Sequence, residues 1–375
     1  MDNVNTMKDA FDRWDTAFAK GIAILVVMFH HLVWQPPDIV IVSDSIKAVQ
    51  HIARFYPATI SVVVFIILSG YGLSESVKIE IGLKKFYIQR LVRIYSSYWI
   101  IWIVFVPIGI LFFHRSLSFV YGDPIHILLK LPMDFLGLLC FFDVGYNATW
   151  WFISLILALY FLFPMLWVLV RKFKTLFLCL SAVFLSIHTK FSGIYMVSRF
   201  VFPFVLGIYM SQTCIFSRLM SIKGRKAFAI SIVWVMGLVF SLLASVLLDT
   251  FIMGNIGRLS HEVKLNLFLS LNAFFTIMTG WKISHGIKWV RLPIAFIGKH
   301  SYNMFLFHTF VYNYYGGYLI YSLGSVAFMF PALLVSCLLI SFIIEKTMEL
   351  LRFEAVYKRI KKLQIKDSII IGGQV

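Results

Sequence analysis

The chain has 375 residues, 60% of them hydrophobic and only 14% charged, with a mean hydropathy of +0.87. A soluble domain carries roughly 25% charged residues, so this chain cannot cover a water-facing surface. Its formal net charge of +17 would suit a nucleic-acid ligand in a soluble protein. Here the basic residues sit in short segments between apolar runs, where membrane topology accounts for them.

Runs of about 20 apolar residues, enough for a helix to cross ~30 Å of hydrocarbon, predict about ten spans. They fall at 17–35, 57–74, 93–114, 149–170, 175–190, 197–213, 227–248, 262–281, 300–321 and 324–345. Backbone left unpaired in lipid costs several kcal/mol per group, and these runs are too continuous for barrel strands, so all should be helices. The first sixteen residues are polar and lead into a full-length span, which is not the pattern of a cleavable signal peptide. With the N-terminus inside, most Lys and Arg fall in inner segments, from Lys84 and Lys85 through Arg171 and Lys172 to Lys288 and Arg291. The expected fold is an all-α, polytopic integral membrane protein with both termini cytoplasmic, lying in the inner (plasma) membrane among its lipids.

Residues 125–144 are apolar but interrupted by Pro132, Asp134 and Asp143, and read as a re-entrant or interfacial piece or a short extra span. The membrane domain ends near 345. In the tail, 346–375, Leu351, Ala355, Val356, Ile360 and Leu363 recur among basic residues, as in an amphipathic helix on an anionic leaflet. Cys140, Cys179, Cys214 and Cys337 lie in apolar stretches without pairing or zinc-ligand spacing, so neither a disulfide framework nor a metal site is expected.

Ionisable groups at membrane depth are costly and invite a functional reading. In the first span Lys20 and His31 are eleven residues apart, which places them on one helix face, roughly 16 Å apart along the axis. A lysine reaching for the inner interface beside an interfacial His pair is the plainer alternative. His30 is turned ~100° from His31, so the two cannot chelate one metal as an i, i+4 pair would. Ser69-Gly70-Tyr71-Gly72 closes the second span, either as a glycine-capped terminus or as backbone that a ligand approaches closely. Arg90 and Arg93 share a face at the inner surface. Topology explains their charge, whereas a guanidinium fork also suits phosphate. Trp150 and Trp151 open the fourth span as an aromatic belt would. In the ninth, His308 is expected near the bilayer midplane.

Five stretches, in this order, resemble the acyltransferase family 3 membrane O-acyltransferases of bacterial surface glycans. They are Lys20-Gly-Ile-Ala-Ile-Leu through His31, and Leu68-Ser69-Gly70-Tyr71. Phe86-Tyr87 through Arg90-Leu91-Val92-Arg93-Ile94 with Tyr98-Trp99 comes third, and Trp151-Phe152-Ile153-Ser154 through Tyr160 and Phe163-Pro164 fourth. Gly298-Lys299-His300-Ser301-Tyr302 through His308 is the last. The resemblance covers about 14–345. It implies some ten helices, an acyl-CoA (acetyl-CoA) donor from the cytoplasm without a metal, and a glycan or lipid-linked sugar acceptor at the outer face. It implies His31 as general base or acyl-accepting nucleophile, with His308 and Lys20 assisting. Arg90, Arg93, Ser69 and Tyr71 would lie by the donor, and Trp151 and Tyr302 by the acceptor. The chain departs from the family where Lys20 replaces a frequent Arg, and where Ile156 and Leu157 fill a region that often holds a Glu. A secondary transporter or flippase for an anionic or lipid-linked solute is the rival reading of the spans, though they lack the paired carboxylates that proton coupling uses.

Overall fold

The computed structural model describes residues 9–37, 44–53, 58–77, 81–183, 192–252, 258–353, 355, 358–359 and 370–371. Its helices in chain order are α1 (Arg13–Trp34), α2 (Asp44–Ala53), α3 (Ala58–Ser76), α4 (Leu83–Phe112), α5 (Leu117–Tyr121), α6 (Pro124–Phe135), α7 (Trp151–Phe173) and α8 (Thr175–Val183). There follow α9 (Ser192–Gln212), α10 (Ile215–Met220), α11 (Gly224–Ile252), α12 (Arg258–Gly286), α13 (Lys288–Thr309), α14 (Gly317–Tyr321) and α15 (Val326–Leu350). Among the described residues seven helices are long and apolar enough to cross a membrane: α1, α3, α4, α7, α9, the first part of α11, and α15. Helices α12 and α13 also have the length, 29 and 22 residues, but carry more polar side chains. The described part of the fifth expected span is the nine-residue α8. The molecule is an all-α polytopic membrane protein.

Helices α1 and α13 run side by side in the same direction, held at three levels. At the basic end Asp12 caps α1: its carboxylate accepts from the Asp15 N–H at 2.7 Å, and Asp15 reciprocates at 3.2 Å. Arg291, in the first turn of α13, donates to both carboxylates at 3.1 Å. One turn deeper, Gly298 lets α13 lie directly against the backbone of Ala17 and Gly21, the close approach small residues provide between membrane helices. At the far end His31 meets His308. Gly298→Ala should therefore cost about 1–3 kcal/mol through overpacking, whereas Gly286→Ala, with open space around it, should cost little. Thermal unfolding midpoints in detergent check the pair.

Gly70 plays the same part between α3 and α9, where a side chain would strike the Phe204 carbonyl. It is not a helix cap, since α3 continues for six residues to Ser76. The expected span 300–321 also differs. The helix begins at Lys288 and ends at Thr309, and a π-type turn over Phe310–Tyr314 and the short α14 follow. His308 thus lies in the last turn of α13, level with His31.

Residues 125–144 do not cross the membrane: α6 has 12 residues, about 18 Å of helix. Ile125, Leu128 and Leu129 are exposed along one face, as on an interfacial helix. The segment is pinned by Asp134, which accepts from the Tyr121 hydroxyl at 2.5 Å and the Tyr146 N–H at 2.9 Å. Burial raises the pKa of Asp134, while the hydrogen bond from Lys130, 2.6 Å away, lowers that of Asp143. In the tail Ile370–Ile371 pairs as a short strand with Ile81–Gly82, just before α4. This brings the end of the chain to the end of the bundle where α1 begins. Most of the expected tail helix lies outside the described residues.

Candidate functional site

His308 is fully buried, and its Nδ1 lies 3.1 Å from the Met304 carbonyl and 3.0 Å from that of Phe305. Carbonyls only accept, so in the neutral ring Nδ1 carries the proton and Nε2 the lone pair. That Nε2 is 2.9 Å from Nδ1 of His31, which must therefore donate. The consequence is an unprotonated Nε2 on His31, whose ring is only half-buried. The two ring planes are nearly parallel, 14° apart, with centroids 5.2 Å apart. His30 is turned away and stacks on Trp34 at 5.9 Å. One histidine fixing the tautomer of another is the arrangement that a general base needs.

The position of His308 depends on Asn147 and Thr309, which no motif marked, and on Trp150, expected only as part of an aromatic belt. Where α13 passes into its π-type turn, the Phe310 N–H donates to Phe307 and His308, so the Leu306 carbonyl loses its usual helical donor. Asn147 takes that carbonyl at 3.2 Å and Trp150 at 2.9 Å, and Thr309 donates back to Asn147 at 2.9 Å. Asn147 is fully buried. A lone Asn just before Trp150-Trp151 in an apolar region was the available signal. Trp150→Phe deletes one donor and should lower kcat about tenfold with little change in KM, as expected when a charge-free hydrogen bond worth ~0.5–1.5 kcal/mol positions the base. Steady-state kinetics at matched membrane levels checks it.

Toward the basic end, five helices enclose a cavity of about 320 Å³. Lys20, Arg90 and Arg93 gather on its wall with Ser69, and Tyr302 lines it while donating to the Ile94 carbonyl at 3.0 Å. Arg90 also donates to Ser76 at 2.6 Å and lies over the Phe86 ring, 5.4 Å from its centroid. Three cations from α1 and α4 thus face one space. Tyr302, expected by the acceptor, lines this same space. Two other expected residues sit elsewhere. The Tyr71 hydroxyl donates to Asp9 at 3.1 Å, and the ring packs edge-on against Phe11 and Phe216. Trp151 packs against Phe152 and Phe200 without lining the cavity.

A cationic cavity and a histidine pair of fixed tautomer, set on neighbouring levels of the same helices, suit transfer of a group from an anionic donor. Residues 16–346 match the acyltransferase domain of acyltransferase family 3, and neither the curated proteins nor the solved structures contain a match to the chain. The matched stretch holds every cavity residue and both histidines, and the chain belongs to acyltransferase family 3: it is a membrane-embedded acyltransferase.

Proposed function

We propose that the protein moves a short acyl group, acetyl in the first instance, from cytoplasmic acyl-CoA to a hydroxyl of a cell-surface or lipid-linked glycan at the outer face of the plasma membrane. The observation that carries this reading is the placement of Lys20, Arg90 and Arg93 around one cavity below the His31–His308 pair. A volume near 320 Å³ is at the small end of ligand pockets. It suits the acyl-pantetheine arm, with the phosphates at the arginines. The basic ends of the helices face the cytoplasm under the positive-inside rule, which supports a donor taken from that side.

In this mechanism Nε2 of His31 takes the proton of the sugar hydroxyl as its oxygen attacks the thioester carbonyl. The tetrahedral adduct collapses, the C–S bond breaks, and the departing thiolate receives the proton and leaves as coenzyme A. His308 accepts from Nδ1 of His31 throughout, so the imidazolium that forms transiently stays oriented. Positioned base catalysis of this kind contributes typically 10²–10⁴-fold. Mass spectrometry of surface glycans from a deletion strain and its parent tests the reading. Loss of one acyl ester, restored by the intact gene and not by the His31→Ala form, is the expected result. Identical ester profiles would refute it.

A further inference from the structure

Neither His31 nor His308 lines the cavity; what closes its far end is aromatic. Phe65 of α3, Phe152 of α7 and Phe305 of α13 all contribute to its wall, and all three are buried. Their rings touch one another: Phe305 lies 4.9 Å from Phe152 and 6.2 Å from Phe65, and Phe65 lies 6.3 Å from Phe152, centroid to centroid. On its other side Phe305 is 6.0 Å from the His308 ring. The cavity therefore has a cationic end at Lys20, Arg90 and Arg93, a phenyl end, and His308 next to Phe305.

We propose that Phe65, Phe152 and Phe305 form an aromatic stop that sets the length of the acyl group the protein accepts. The inference rests on the acyl-CoA reading above. A donor anchored by its phosphates at the arginines advances acyl end first, and its carbonyl must come within about 3–3.5 Å of the attacking atom. The acyl group is then the part that meets the three rings. Each further methylene needs volume that a packed interior lacks, because the rings are backed by neighbours: the buried His308 behind Phe305, and the half-buried Trp151 beside Phe152.

Shortening one ring should convert that exclusion into apolar burial. Each buried methylene is worth ~0.8 kcal/mol, so affinity should rise about fourfold per added CH₂ until the new space is filled. The test measures binding of coenzyme A, acetyl-, butanoyl- and hexanoyl-CoA to the purified full-length protein in lipid nanodiscs. The wild type should bind acetyl-CoA more tightly than hexanoyl-CoA. Phe152→Ala should bind hexanoyl-CoA at least tenfold more tightly than the wild type does, with affinity for free coenzyme A unchanged. Phe65→Leu, a smaller change, should extend tolerance by a methylene or two even if the alanine form does not assemble. A wild type that binds hexanoyl-CoA as tightly as acetyl-CoA would overturn the stop. So would a folded variant that keeps the wild-type length profile. If the wild type bound neither coenzyme A nor any thioester, the donor reading itself would fall and the stop with it, a result distinct from a flat length profile.

Discussion

His31→Ala is expected to lower acyl transfer by about 10²–10⁴-fold while the protein remains inserted at its normal level. The hydrogen-bond chain from the Met304 and Phe305 carbonyls through His308 to His31 leaves the one unprotonated imidazole nitrogen outside it on His31. His30→Ala removes a ring that stacks on Trp34 and takes no part in that chain, so most activity should survive. His308 supports an intermediate test. Gln at 308 can offer an amide oxygen to Nδ1 of His31, whereas Ala cannot. His308→Gln should therefore retain more activity than His308→Ala, and both should exceed His31→Ala. Acyl transfer per inserted molecule, across the four variants, gives the ranking. Full activity in His31→Ala would remove the catalytic histidine, and an equal loss in His30→Ala and His31→Ala would point to packing instead of chemistry.

The parts of this site that could be read in the sequence are those governed by the period of one helix. Eleven residues are close to three turns, so Lys20 and His31 had to share a face, and Arg90 and Arg93 followed from the same rule. Single-helix phase also explains why Tyr71 and Trp151 lie off the cavity. Tyr71 is two residues, or ~200°, from Ser69, so when Ser69 faces the cavity Tyr71 faces Asp9 and Phe216. Trp151 is ~100° from Phe152, and only Phe152 reaches the cavity. The depth of His308 was beyond such reasoning. Where its helix ends, the Leu306 carbonyl is taken up by Asn147 and Trp150, a contact between segments far apart in the chain. The mostly apolar stretch from 300 to 321 gave no hint of that contact. The aromatic stop likewise takes one Phe from each of three helices, and no local pattern marks them.

Charge alone and guanidinium geometry make different predictions at the basic end of the cavity. If Arg90 and Arg93 serve only the positive-inside rule, Lys at either position preserves the charge and should change nothing. If they hold the phosphates of the donor, Lys loses the planar fork and its paired donors. Arg90 offers the sharper case, because its guanidinium is already oriented by Ser76 at 2.6 Å and by the face of Phe86. A lysine ammonium cannot span both contacts and still present two donors to one phosphate. A hydrogen bond to a charged group contributes ~1.5–3 kcal/mol, so Arg90→Lys should weaken acetyl-CoA binding about tenfold or more. The loss should appear in KM for the donor with kcat nearly unchanged, because the arginines bind phosphates far from the reacting carbonyl and hold ground state and transition state alike. Arg93→Lys should act in the same direction, and the double substitution should lose more than either. Donor affinity measured on purified protein, beside membrane insertion of each variant, separates the two accounts. Unchanged affinity in both single variants would return the arginines to topology and leave Lys20 as the cation for the donor to meet.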